Sequence, residues 1–299
     1  MNRDRQTDGE GADDRLTDGG TASATDSPAA DQRGAPTGLR ARLVGLWTLL
    51  HREILRYVRR PRNTFLPPMI TNVLYFTVFG VVLGERISGS DPNAFGGAGY
   101  ILFILPGLVV LGMISNAFEN ASFSIFHGRW NEYIHEVLTS PLSHTEMVLA
   151  YVAASSLRGI VVGCIIWGVG LVFTPVTVAN PFYLAAFMLV IPTLFAAFGV
   201  IGGLWAADFD YLTVMNQFII RPLVFFGAVF YPLSALSGVW RDVTLLNPMV
   251  YMVNGVRYGV IPEATDLSPD LSLAVLSGLT VVVIALDIAL VKRGYGLVD

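Results

Sequence analysis

The residues of this chain that could do chemistry are few, and their spacing excludes most reactions. A phosphate-binding loop of the G-x-x-x-x-G-K-[ST] kind requires a lysine, but the only lysine, Lys292, is followed by Arg293. No histidines stand at i, i+4 spacing, and none is near the single cysteine, Cys164. The histidines are His51, His127, His135 and His144. Gly-x-Ser-x-Gly and His-Glu-x-x-His motifs do not occur. We therefore expect no catalytic site, metal or cofactor in this chain, and any work it does must be driven from outside it.

Two charged residues, Arg158 and Asp287, stand inside long apolar stretches. Ionisable residues within a membrane are functional hypotheses by default. Both are predicted to lie toward the same end of their spans, so that pairing with each other and snorkelling to the interface are both open. Asp287 is the only acidic residue that the pattern places deep in a span.

The apolar stretches predict an all-α membrane protein. Of the 299 residues, 53% are hydrophobic and 14% are charged, against about 25% charged in soluble domains. A bilayer-spanning helix needs about 20 mostly apolar residues. We place six transmembrane helices near residues 64–85, 99–118, 150–173, 182–205, 218–237 and 271–291.

Basic residues close to the span ends predict the orientation. Residues 38–63 contain seven arginines and one glutamate, and Lys292 and Arg293 follow the last span. The opposite side has three arginines in its loops: Arg86, Arg241 and Arg257. We expect a multi-pass protein of the cytoplasmic membrane with both termini in the cytoplasm.

Two segments precede the first span. Residues 1–37 are acidic, poor in large apolar side chains and without a signal-peptide pattern, which predicts a disordered tail. Residues 39–60 carry apolar side chains at helical spacing on one face and arginines on the other. The apolar set is Leu39, Leu43, Leu46, Trp47, Leu50, Ile54 and Tyr57; the arginines are Arg52, Arg56, Arg59 and Arg60. This pattern predicts a helix lying in the interface with its arginines toward lipid phosphates, or else a helix that binds a cytoplasmic partner.

A second amphipathic helix is predicted on the cytoplasmic side over residues 128–141. One face is apolar: Trp130, Tyr133, Ile134, Val137 and Leu138. The other is polar: Arg129, Glu132, His135 and Glu136. Pro141 ends the helix, and Ser143 with Glu146 predicts a capping box that starts the next one. Residues 245–261 are apolar but interrupted by Asn247, Pro248, Asn254 and Arg257, which predicts a re-entrant or interfacial segment on the outer side.

Three blocks in order resemble the ABC-2 type transporter permeases, close to the daunorubicin-exporter and oligosaccharide-export branches. The first runs from Leu105-Pro106-Gly107-Leu108 to Glu136-Val137-Leu138-Thr139-Ser140-Pro141-Leu142. The second is Asp208-Phe209-Asp210. The third is Phe230-Tyr231-Pro232-Leu233 with Asn247-Pro248-Met249-Val250-Tyr251 and Arg257-Tyr258. The likeness covers roughly residues 40–295.

This resemblance implies an architecture and partners. Residues 38–63 would be the elbow helix and 64–295 the six-span domain. The coupling helix, 129–139, would sit in a groove of a separate nucleotide-binding subunit, which carries ATP and Mg. The coupling residues would be Trp130, Glu132, Tyr133, Ile134, Glu136, Leu138 and Pro141. Residues 232–261 would form the outer re-entrant region, with gating residues Pro232, Asn247, Pro248 and Arg257. Two permease copies and two ATPase subunits would form an exporter of an amphipathic drug, lipid or glycan, in contact with membrane lipids and without nucleic acid.

Two other function classes remain open. A secondary transporter driven by an ion gradient would need acidic residues in mid-span and an internal repeat of broken helices. A membrane enzyme acting on a lipid-linked substrate would need clustered carboxylates or metal ligands at the interface. Asp208 and Asp210 form such a pair of carboxylates, but no other feature of the sequence supports it. The sequence does not identify the substrate.

Overall fold

The computed structural model describes residues 38–84, 95 and 98–297, so the tail predicted over residues 1–37 lies outside the described residues. All regular secondary structure in this part is helical, which confirms the all-α class. The helices are α1 Leu39–Val58, α2 Pro61–Val82, α3 Tyr100–Trp130, α4 Ile134–Leu138, α5 His144–Phe173, α6 Pro181–Trp205, α7 over 209–225, α8 Val239–Leu245, α9 Pro248–Tyr258 and α10 Pro269–Lys292. Short 3₁₀ turns cover Leu233–Ala235 and Pro262–Ala264.

Five helices in the described part are long and apolar enough to cross a membrane: α2, α3, α5, α6 and α10. They correspond to the predicted spans 1, 2, 3, 4 and 6. Two of them are longer than predicted by more than a helical turn, because α3 continues from residue 118 to Trp130 and α5 starts at His144. The added turns contain polar residues that resembled a loop in the sequence but are buried between helices, such as Asn120 and Ser124.

The fifth span, predicted over 218–237, is wrong in its bounds. Helix α7 instead covers residues 209–225, with a π-helical stretch at Met215–Ile220, and it falls short of the length of the five spanning helices. The chain leaves the helix because Gly227 is packed against Met249 and Ala228 adopts a positive φ of 58°, which a right-handed helix does not allow. The predicted second half of this span is therefore a turn that leads to α8.

Helix α3 lies at the centre of the bundle and packs against α5, α6 and α9. Two glycines of α6 allow its closest approach: a Cβ at Gly199 would lie 2.6 Å from the carbonyl oxygen of Phe118, and one at Gly203 would lie 2.6 Å from that of Ser122. Spacing of this small-xxx-small kind lets membrane helices pack backbone to backbone. Helices α2 and α10 are peripheral, with most of their surface left exposed.

Candidate functional site

The helix predicted over 128–141 is divided in the structure. Helix α3 continues through Trp130, a turn follows, and α4 contains only Ile134–Leu138. The interruption falls at Glu132, whose φ of 60° lies in the left-handed region and ends the helix. The capping box downstream is confirmed, because Ser143 Oγ accepts a hydrogen bond from the Glu146 backbone amide and the Glu146 side chain accepts one from that of Ser143.

The predicted apolar face of the coupling segment, residues 129–139, is also split. Ile134 is 1% exposed and Val137 is 7% exposed, so these two side chains are buried inside the protein. Trp130 is 60% exposed and lies on the surface. The remaining exposed residues of this region are Asn131, Glu132, His135, Glu136, Thr139 and Pro141. The segment is thus held by two apolar anchors and presents an acidic and aromatic surface.

Arg129 fastens this segment to the end of α6. Its Nη1 donates hydrogen bonds to the carbonyl oxygens of Gly203, Leu204 and Ala206, at 2.8, 2.9 and 3.0 Å. Basic side chains near a helix C-terminus stabilise its unpaired carbonyls and its dipole. The sequence pattern placed Arg129 only on a polar face, since its partners lie more than seventy residues away along the chain. Trp130 contacts the start of α7, with its ring 5.6 Å from that of Phe209.

Helix α1 contacts the same segment from the other side. The Arg52 guanidinium lies 5.4 Å from the centre of the Tyr133 ring and donates to the Glu53 carboxylate at 2.9 Å and to the Tyr151 hydroxyl at 3.2 Å. Burial raises the pKa of Tyr133 above its ordinary value, and the Glu53 carboxylate acts in the same direction. Glu53 itself is 3% exposed.

Arg52 and Arg56 of α1 thus have partners within the protein while their side chains stay 43% and 36% exposed, and the prediction that the α1 arginines face lipid phosphates stays a prediction. Arg56 Nη2 donates to the carbonyl and side-chain oxygens of Asn120, at 3.0 and 2.9 Å, and to Ser124. Arg59 and Arg60 remain exposed. The apolar residues Leu39, Leu43 and Trp47 are also exposed. The location of α1 at a membrane surface stays a prediction.

Arg158 and Asp287 do not pair in the described structure. Arg158 donates to the side-chain oxygens of Asn116 and Asn120, at 3.2 and 3.3 Å, and forms an ion pair with Glu119 at 3.8 Å. Asp287 is fully buried, and neither carboxylate oxygen accepts a hydrogen bond from a described residue. Glu119 also corrects the expectation that Asp287 is the only acidic residue deep in a span. It was missed because the predicted second span ended at residue 118.

The interrupted segment 245–261 packs against the centre of the bundle. Asn247 caps α9 by accepting from the Met249 amide at 3.0 Å, and its amide nitrogen donates to the Leu223 carbonyl at 2.7 Å. Pro248 takes the first helical position, where its missing amide hydrogen costs nothing.

Arg257, predicted as a gating residue, is 2% exposed and lies at the end of α9. It donates to the Ala228 carbonyl at 2.8 Å, and its guanidinium carbon lies 3.8 Å from the centre of the Phe103 ring. Pro232 immediately precedes the 3₁₀ turn Leu233–Ala235. The re-entrant character and gating role of this region stay predictions.

The acidic pair Asp208 and Asp210 has a structural use. Asp208 caps α7 by accepting from the backbone amides of Asp210 and Tyr211, at 2.9 and 3.1 Å. The part of the chain that the structure describes contains no cluster of metal-ligating side chains. The pair therefore gives no support to the hypothesis of a membrane enzyme.

Over the residues that the structure describes, the bundle is all-helical, contains five apolar helices of spanning length and pairs charged side chains between helices, as expected of a multi-pass membrane protein. Comparison with known proteins identifies its kind. Residues 44–261 match the family described as ABC-2 type transporter. The chain is 33% identical over 254 residues to the inner membrane transport permease YadH of Escherichia coli strain K12, Escherichia coli O157:H7 and Shigella flexneri. The aligned region covers 85% of this chain and 97% of each relative.

The chain belongs to the ABC-2 type transporter family. It is a membrane permease, a non-enzymatic component of the plasma membrane with several membrane-crossing helices. Membership of this family implies a transport system that includes an ATPase partner.

Proposed function

We propose that this chain is the permease subunit of an ATP-binding cassette exporter. Two copies of it form the translocation path and move an amphipathic drug-like, lipid or glycan substrate out across the cytoplasmic membrane. A separate ATPase subunit binds ATP and Mg and provides the energy. Family membership and the absence of a phosphate-binding loop from the sequence support this proposal.

The observation that carries the proposal is the construction of the coupling segment. The side chains of Ile134 and Val137 are buried inside the protein, while those of Trp130, Glu132 and Glu136 are exposed and accessible to a partner. The segment is also joined to three other helices: to α6 through Arg129, to α7 through Trp130, and to α1 through Tyr133. A displacement of this segment by an ATPase subunit would therefore act on α1, α6 and α7 together, in addition to the adjoining α3 and α5.

Reversal of the acidic charges tests this function. We propose that Glu132 and Glu136 meet basic groups on the ATPase subunit. In the double variant Glu132→Lys/Glu136→Lys, like charges would face each other there, and such contacts cost several kcal/mol. We expect recovery of the co-expressed ATPase subunit on the affinity-purified permease to fall by about tenfold or more, which corresponds to 1.4 kcal/mol or more. Export of the substrate should be lost, while membrane insertion and permease dimerisation remain.

The matched control is Glu263→Lys, the same reversal at an exposed position in the turn Pro262–Ala264, away from the coupling segment. It should recover the ATPase as the wild type does. Normal recovery and normal export in the double variant would overturn the coupling assignment. Export that continues after inactivation of the ATPase, but stops when the proton gradient is dissipated, would establish the secondary-transporter alternative instead.

A further inference from the structure

A cavity of about 370 Å³ lies between α2, α3, α5 and α7. Its charged lining residues are Glu119, Arg158 and Arg221. Side-chain amides of Asn63, Asn72 and Asn116 also line it, together with the apolar groups of Tyr75, Leu111 and Phe225. The cavity therefore offers both charged and apolar walls to one ligand.

The three charges lie at a similar height in the bundle. Glu119 is eleven residues before the end of α3, Arg158 is fourteen residues after the start of α5, and Arg221 is twelve residues after Phe209. At a helical rise of about 1.5 Å per residue, these separations are roughly 16–21 Å from the end of the bundle that carries the coupling segment. The cavity also reaches Asn63 and Thr64 in the first turn of α2, so it extends from that end of α2 toward the level of these charges.

The charges in this cavity do not balance. Arg158 is paired with Glu119 at 3.8 Å and bonded to two asparagines, and Glu119 also accepts from Asn216 Nδ2 at 3.1 Å. Arg221 forms no hydrogen bond or close ion pair with any residue that the structure describes, although it attracts Glu119 at longer range, and its exposed side chain lines the cavity. The charged side chains of the lining therefore carry one positive charge in excess.

We propose that this cavity binds the anionic group of an amphipathic substrate and that Arg221 recognises its charge. A phosphate, sulfate or carboxylate accepts paired hydrogen bonds from a guanidinium, which makes arginine the preferred partner for such groups. The amide of Asn63 adds a further donor, while Tyr75 and Phe225 contact the apolar part of the molecule. A cationic head would have to approach two arginines to reach a glutamate that is already paired. This assignment rests on the proposed function as a permease for amphipathic substrates.

The test measures binding to the purified permease alone, reconstituted in phosphatidylcholine nanodiscs. The probes are dodecyl phosphate, dodecyltrimethylammonium of the same chain length, and inorganic phosphate, with the thermal unfolding midpoint as the readout. We expect saturable stabilisation by dodecyl phosphate, and at least about tenfold weaker binding of the other two, because the site needs both the anion and the apolar chain.

The variants separate charge recognition from general binding. Arg221→Gln should weaken dodecyl phosphate binding by about tenfold or more. Arg221→Lys should lose less than Arg221→Gln, since it keeps the charge but not the paired donors of the guanidinium. Arg241→Gln, an exposed position on α8, is the matched control and should bind as the wild type does.

Three outcomes would overturn the proposal. The first is that the wild-type protein binds dodecyltrimethylammonium as tightly as dodecyl phosphate. The second is that it binds inorganic phosphate as tightly as dodecyl phosphate, which would indicate a site for small free anions. The third is that Arg221→Gln binds dodecyl phosphate as tightly as the wild type. The two wild-type comparisons remain decisive if Arg221→Gln does not fold. Because the ATPase is absent from this assay, its result is independent of the co-purification experiment on the coupling segment.

Discussion

The ion pair between Arg158 and Glu119 gives the sharpest test of how charge is held inside this permease. The atoms Arg158 Nη2 and Glu119 Oε2 are 3.8 Å apart. At an effective dielectric constant of about 20, two unit charges at that separation attract by roughly 4 kcal/mol. The Glu119 side chain keeps 43% of its surface exposed, so that screening reduces the expected coupling to about 1–2 kcal/mol, between surface and buried pairs.

A double-mutant cycle measures this coupling directly. The variants are Glu119→Gln, Arg158→Gln and their combination, and the free energy of unfolding is measured by SDS titration in bicelles. Asn116 and Asn120 still accept hydrogen bonds from Arg158 in Glu119→Gln, so we expect that variant to fold. The exchange Glu119→Arg/Arg158→Glu should partly restore export relative to either charge reversal alone.

The pair Arg158 and Asp287, which do not contact each other in the structure, provides the control for this cycle. A cycle between Arg158→Gln and Asp287→Asn should give a coupling energy below about 0.5 kcal/mol, because residues without a shared contact behave additively. A value that small for Arg158 and Glu119, or a value above 1 kcal/mol for Arg158 and Asp287, would refute the reasoning.

Three further predictions follow from the packing and the orientation. Gly199→Ala places a Cβ 2.6 Å from a backbone oxygen and should lower the free energy of unfolding by about 1–3 kcal/mol. The control Gly278→Ala has open space at its Cβ and should be neutral or stabilising. Equal effects of the two variants in SDS titration would contradict the packing argument. Glu53→Gln keeps the shape of the side chain but removes the charge that two arginines and a serine contact. The contact of α1 with the bundle should weaken, and the free energy of unfolding should fall by about 1.5–3 kcal/mol in the same titration. An unchanged free energy of unfolding would show that the buried charge is not needed. In a cysteine-free background, Glu263→Cys should react with an impermeant maleimide in intact cells and Glu136→Cys only after permeabilisation; the reverse pattern would invert the topology.

Some features of this protein follow from local sequence. The long apolar runs predict five of the membrane helices, because a helix that crosses lipid must satisfy its backbone internally and needs apolar side chains along its length. The cap at Ser143 and Glu146 is also local, since both hydrogen bonds join residues three positions apart. The three sequence blocks were enough to indicate the family, and the comparisons confirm it.

Other features depend on contacts that no local pattern contains. The sequence shows that Arg158 is in a membrane helix, but the choice of Glu119 over Asp287 depends on how α3 and α5 pack. Arg56 resembles a lipid-facing arginine on a helical wheel, yet it reaches Asn120, sixty-four residues away. Helix α7 ends early because Gly227 meets α9. Periodicity in the sequence indicates which face of a helix is apolar. It does not indicate which residue pairs with a buried charge or where a helix such as α7 ends, because both depend on contacts between segments that are distant in the sequence.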